Sequence, residues 1–296
     1  QTPAPRASPT PTPIVKLNPS PQLLLIKPAQ PVATADLEVE ALQLLNQAGA
    51  DLGEQVSVKR TGDEILEITG IVDSAKRKAE IISALEPIAT NPAVRIEIQT
   101  VTEAVTQQQR SLTKASPSPA IEQKVEINSG SMAAEFELRS YFNSDEQARQ
   151  FAARMVSRSR QAMSHLYALR RLSKQFSVEE LRALSPEAHQ KWLALARSHA
   201  RAYQREIAGL RQELQPIFFP SASSAGAQSG PEITDTYSVV HAIQRLFELG
   251  SANDRVILSA FTTSSEGATV TAIKTGVFWQ SLLAAETLAT RIQSAP

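Results

Sequence analysis

The sequence predicts an α+β protein: a small αββαβ module followed by a mainly α-helical domain with a long antiparallel helical pair. Two observations carry this expectation. Between Asp36 and Glu103 the apolar residues switch from helical spacing to alternation, return to helical spacing, and alternate again. From Asp145 to Leu214 two long apolar stripes follow one another at helical spacing, separated by a short capped segment.

Nine of the 18 prolines precede Val32, in runs such as Pro3-Ala4-Pro5 and Pro9-Thr10-Pro11-Thr12-Pro13. Proline fixes φ and removes a backbone donor, so residues 1–35 are expected to form an extended, unpacked tether. From Asp36 the residues Leu37, Leu42, Leu44, Leu45 and Ala48 lie on one side of a helix that Gly49 stops. Val56 and Val58 then alternate with polar residues, Thr61-Gly62-Asp63 turns the chain, and Leu66, Ile68 and Gly70 continue on period two. Ser74 caps a helix carrying Ala79, Ile82 and Leu85, and Asn91-Pro92 breaks the chain before Val94, Ile96 and Ile98.

Gly62, Leu66, Ile68, Gly70, Val72-Asp73-Ser74, Ala79, Ile82, Leu85 and Val94 together resemble the BON-domain pattern, with Ala93 standing where that family usually has glycine. The resemblance covers 36–103. It implies an αββαβ fold in an envelope protein that binds a lipid surface, cell wall or another protein, and no catalysis.

The polar stretch from Thr102 to Ser131, with Pro117-Ser118-Pro119, reads as a linker, so the module boundaries fall at 36–103, 104–131 and 132–296. Glu135 to Tyr141 fits either a strand or a helix lead-in. Asp145 to Phe176 is the strongest helix, its stripe formed by Phe151, Met155, Met163, Leu166, Leu169, Leu172 and Phe176. Ser177 to Glu180 is a capping box opening a short helix. Ser185-Pro186-Glu187 then starts a second long helix with Trp192, Leu195, His199, Tyr203, Ile207, Leu210 and Leu214, ended by Pro216. After the loop from Pro220 to Pro231, one helix is expected over Thr234–Leu249 and another from the cap-like Ser251-Ala252-Asn253-Asp254. Gly267 to Ile273 suggests a short strand or extended turn, and Thr275 opens a last helix with Phe278, Leu282 and Leu288.

Phe176 to Pro186 and Phe218-Phe219-Pro220 are similar to the extracytoplasmic part of membrane-anchored anti-sigma-factor-like proteins. That resemblance implies a zinc module and membrane helix outside this chain, and transfers no functional residue. The start at Gln1, without a signal-like stretch, fits a processed or excised exported piece.

Formal charge is zero over the whole chain but divided along it. Residues 36–103 carry 13 acidic and 6 basic side chains, a net of −7, whereas 145–215 carry 7 acidic and 13 basic, a net of +6. Opposite signs on neighbouring segments steer them together or steer separate partners. Arg197, Arg201 and Arg205 are the candidate partner-binding residues, for an acidic partner or for the acidic module itself. Nucleic acid is not expected, since only Tyr167 and Tyr203 interleave with the basic residues.

The chain contains no cysteine, which removes disulfides, thiolate nucleophiles and Cys-ligated zinc. His165, His189, His199 and His241 form no metal-binding spacing, and no serine stands in a nucleophile motif. His165 and His199 meet across the helical pair if it is antiparallel, an arrangement of interest only with a carboxylate nearby. The expectation is therefore a non-catalytic, cofactor-free extracytoplasmic sensor or docking region of a membrane-anchored, anti-sigma-like regulator, binding a protein or envelope component. The alternative is a structural envelope protein in which the module contacts membrane or cell wall and the helices oligomerise.

Overall fold

The computed structural model of the chain describes residues 32–52, 55–62, 64–112, 132–218, 233–262 and 270–296. Residues 1–31 of the Pro-rich tether, Asp63, most of the 104–131 linker, the 220–231 loop and residues 267–269 lie outside these residues. The end of the expected tether belongs to the fold instead: Ala33 is buried and its N–H donates to Glu64 O at 2.7 Å, Thr34 caps α1, and Ala35 opens it. From Val32 onward the chain forms one compact unit.

Helix α1, Ala35–Gln47, is capped by Thr34 and left through Gly49, whose φ of 62° suits a residue without Cβ. Strands β1 (Gln55–Arg60) and β2 (Leu66–Val72) pair antiparallel, and β3 (Val94–Thr100) pairs parallel with β2, giving the order β1-β2-β3. The left-handed residue in the hairpin turn is Glu64, φ 61°, and not Gly62. Between β2 and β3 come α2, Ala75–Ala84, capped by Ser74 as expected, and a single turn, α3, Glu86–Ala89. α2 and α3 bury Ile81, Leu85 and Ile88, and leave Ala79 and Ile82 in solvent. Of the expected stripe Leu85 is buried, while Ile81 takes the core position the spacing gave to Ile82.

Where a polar linker was expected, the chain runs straight from β3 into α4, Val101–Leu112. Glu103 explains the start. Its carboxylate accepts from Thr100 N at 2.7 Å and from Lys78 Nζ, while Thr100 Oγ1 accepts from Glu103 N, so the first turn is closed at both ends.

The helical body begins with α5, Glu135–Phe142, which resolves the ambiguous segment as helix. α6 (Asp145–Gln175), α7 (Val178–Ala183, with its capping box) and α8 (Pro186–Phe218) follow. Every residue of both predicted stripes is buried. α8 continues past Pro216, where only the last turn loses a bond, and Phe218 is buried against Phe261 at 5.8 Å between ring centres.

α9, Thr236–Phe261, is one helix and not two. The apparent break at Gly250 to Asp254 has tertiary causes. Gly250 sits where a Cβ would come within 2.1 Å of Leu166 Cδ1 and 3.1 Å of the Tyr203 hydroxyl. Asn253 is buried, and Asp254 accepts a 2.6 Å bond from Ser159. Residues 270–275 form turns and a single 3-10 turn, Ala272–Lys274, instead of a strand; Thr275 then caps α10, Gly276–Gln293.

α6 packs on α8 and α9, and α10 closes the ring against the same two helices. Contacts run in opposite directions along neighbours: Arg158 meets Glu206 while His165 meets His199, and Phe151 meets Phe261 while Tyr167 meets Phe247. Likewise Arg197 reaches Ala295 and Arg211 reaches Glu286. The four helices are an antiparallel bundle. Helix α1 lies on α8, which places the three-stranded sheet beside the bundle.

Candidate functional site

Polar side chains concentrate at the junction between the sheet and the bundle. Arg60, the last residue of β1, donates from Nε to Glu38 on α1 and from Nη2 to Glu180 on α7. Glu180 uses its other oxygen to cap α7, accepting from Ser177 N at 2.8 Å. Gln175, the last residue of α6, donates to Glu38 at 2.6 Å and to Val58 O at 3.0 Å, and Arg171 donates to Val56 O at 3.1 Å. Burial raises the Glu38 carboxyl above its ordinary value, and the bonds from Gln175 and Arg60 only partly offset that. Ser185 N donates to Asp36, and Lys191 lies 3.8 Å from Glu40, so the acidic first helix meets the start of α8 at two further points.

A second cluster lies beneath the first. Asp51, just past α1, accepts from Asn46 at 2.6 Å and pairs with His199 Nε2 at 3.0 Å. His165 Nδ1 lies 3.4 Å from His199 Nδ1. The carboxylate that would make the two histidines interesting is therefore present, supplied from the sheet side. Burial alone would raise Asp51, yet the bonds from His199 and Asn46 outweigh it and hold the carboxyl below its ordinary value. Burial, then the charge of His199, pushes His165 down to about 4.

Geometry limits what this cluster does. Both nitrogens of His199 are engaged, by Asp51 and by His165. The cavity beside it, lined by Leu42, Asp51, Arg171, Leu195 and His199 among others, holds 20 Å³, the space of a single water. A substrate needs a site more than ten times larger. Larger space lies outside, where Ser57, Val58, Lys59, Arg60, Arg171 and Lys174 border an open groove of 660 Å³.

The other candidates stand apart. His189 bonds Thr236 Oγ1 at 2.7 Å, and His241 meets the Tyr237 ring edge-on. Arg201 and Arg205 are exposed on α8, while Arg197 is half-buried and donates to Ala295 O at the end of α10. None of the three bonds to the sheet side among the described residues. Sheet and bundle are joined instead through Arg60, Arg171, Gln175 and His199. Their spacing along the chain gives no hint of this, since each of these contacts joins residues more than a hundred positions apart. The chain matches no known family, no curated protein and no solved structure.

Proposed function

We propose that this chain is a non-catalytic sensor or docking region on the extracytoplasmic side of a membrane-anchored, anti-sigma-like regulator, with a BON-like unit read out by a helical bundle. The polar junction carries this reading. Groups that titrate or exchange ion pairs hold the sheet to a bundle closed by apolar packing, and such a contact is suited to having two states biased by a ligand. The order α1, β1, β2, α2, β3, with β3 parallel to β2, supports the BON-like assignment.

The reading requires residues 32–296 to lie outside the cytoplasmic membrane. Protease added to intact spheroplasts should degrade this region of the full-length protein; protection until lysis would exclude the reading. A second reading, contact with a membrane or cell wall, is favoured by Ile71, Ile82, Val101 and Val105, apolar residues of the β2–α4 region that are 38–48% exposed. Sedimentation with lipid vesicles, lost on changing all four to serine, would support it over the first.

A further inference from the structure

β1 has a free edge, and the hairpin fixes which groups it presents. Thr61 N donates to Ile65 O at 2.8 Å, so Thr61 and Ile65 form a hydrogen-bonded pair. Antiparallel pairs alternate, which makes Arg60↔Leu66, Val58↔Ile68 and Val56↔Gly70 the non-bonded pairs. The N–H and C=O of Val56, Val58 and Arg60 therefore point away from β2. The bonds from Arg171 to Val56 O and from Gln175 to Val58 O agree with this parity.

α6 thus satisfies two outward carbonyls with side chains and supplies no acceptor to the outward N–H groups among the described residues. The side-chain carbonyl of Gln175, Oε1, is also buried without a partner. Its orientation is set, because turning the amide would place that oxygen against Glu38 and Val58 O, two acceptors. Among the described residues the groove thus presents unmet backbone donors beside two carbonyls, Val56 O and Val58 O, held only by side chains. A bare anion answers only the donors; a peptide backbone answers both.

Charge narrows the choice further. Lys59, Arg171 and Lys174 border the groove and no carboxylate pairs with any of them among the described residues, while Glu38, which also lines it, is 3% exposed and engaged by Arg60 and Gln175. Arg60 is held by Glu38 and Glu180. The groove's 660 Å³ lies in the range of ligand sites, and Val56 to Arg60 spans ~13 Å at ~3.3 Å per residue.

We propose that the groove between β1 and α6 binds an extended acidic peptide, which adds as a strand along Val56–Arg60 and sets its carboxylates against Lys59, Arg171 and Lys174. In the free protein Arg171 and Gln175 shield the edge as side chains often shield exposed strands. The incoming strand replaces them on Val56 O and Val58 O and receives their donors in turn, a strand-addition mode of recognition. This deepens the docking reading by naming its surface and partner class; its test is made in solution and is independent of where the protein resides.

The probe is a fluorescein-labelled heptapeptide of alternating glutamate and valine, titrated with the protein and followed by anisotropy at low salt. Saturable binding is expected, with at least tenfold loss in Lys59→Glu/Lys174→Glu, whose two positions are exposed and whose fold is checked by circular dichroism. At least tenfold loss is also expected when the peptide's valines are N-methylated, and amide exchange at Val56, Val58 and Arg60 should slow on binding. Absence of saturable binding, undiminished binding by the double variant, or equal binding of the N-methylated peptide would each overturn the proposal. Displacement of the peptide by millimolar citrate with no change in amide exchange would reduce the groove to a simple anion site and overturn it as well.

Discussion

The bundle and the junction beside it are built from the same helices by opposite means. Inside the bundle, Trp192, Tyr203, Leu166, Leu169 and Leu210 are buried to 1% exposure or less, and α9 gives up a side chain at Gly250 to bring Leu166 and Tyr203 close. At the junction α1 contributes Val39, Leu42 and Leu45, but the edge of β1 is held by Arg60, Arg171, Gln175 and Glu180. Apolar packing at this density loses energy with any displacement, whereas the partly exposed Arg60–Glu180 pair can exchange its partner for water at small net cost, with only Glu38 buried deeply enough to depend on Arg60. On the proposed reading, one region serves as the scaffold and the other as the movable contact.

The largest expected effect lies in the scaffold. Trp192→Ala removes the largest fully buried side chain and should cost about 3–5 kcal/mol, lowering the thermal midpoint by roughly 10 °C. A smaller loss, measured by denaturant titration, would mean that the bundle tolerates cavities and is not the rigid half of the comparison.

Arg60→Met should cost about 2–3 kcal/mol, because Glu38 is 3% exposed and loses its charged partner. Adding Glu38→Leu should restore most of that, since the uncompensated carboxylate and not the lost attraction sets the cost. If the double variant is as unstable as the single one, the junction contributes stability in its own right.

Gly250→Ala sharpens the picture of the scaffold. Helix propensity favours alanine by about 1 kcal/mol, while crowding against buried Leu166 costs about 1–3 kcal/mol, so a net loss of about 1 kcal/mol is expected. Stabilisation would show that Leu166 has room to yield.

The smallest effect is a pH dependence. His165 titrates at about 4 when folded and near 6.5 when unfolded, so the unfolded chain binds more protons between those values. Stability should fall as pH drops from 6.5 towards 4, by about 1 kcal/mol after discounting for the ring's partial exposure. Asp51, held low, adds its loss only as pH falls below the ordinary carboxylate range. Glu38, held high, works the other way, because protonation relieves the cost of its burial. His165→Asn should flatten the slope above pH 4.5 in urea titrations; an unchanged slope would assign it elsewhere.

Sequence reading succeeded where local pattern and tertiary burial agree. The stripes of α6 and α8 repeat over many turns, and the caps Ser74, Ser177 and Thr275 act within three residues of themselves. It failed where a distant contact overrules a local signal. Gly250 and Asp254 look like a stop and a start, yet both answer to α6 and α8 across the bundle. Ile82 follows the spacing of a buried residue and is exposed, because α2 turns Ile81 and Leu85 to the core instead. The meeting of His165 with His199 follows from an antiparallel pair, but Asp51 reaches them only through the placement of α1 on α8, which no periodicity encodes. Arg171 on α6 meets a strand edge, a placement that charge alone does not distinguish from that of Arg197, Arg201 and Arg205 on α8.

Native-state hydrogen exchange on Arg60→Met, compared with the unchanged protein, tests most directly whether scaffold and movable contact are separate. Amides of α1 and β1 should lose protection by tenfold or more while those in the middle of α9 and α10 keep theirs, the mark of a local opening. An equal loss of protection in all four elements would show that sheet and bundle open only together, and would contradict the account.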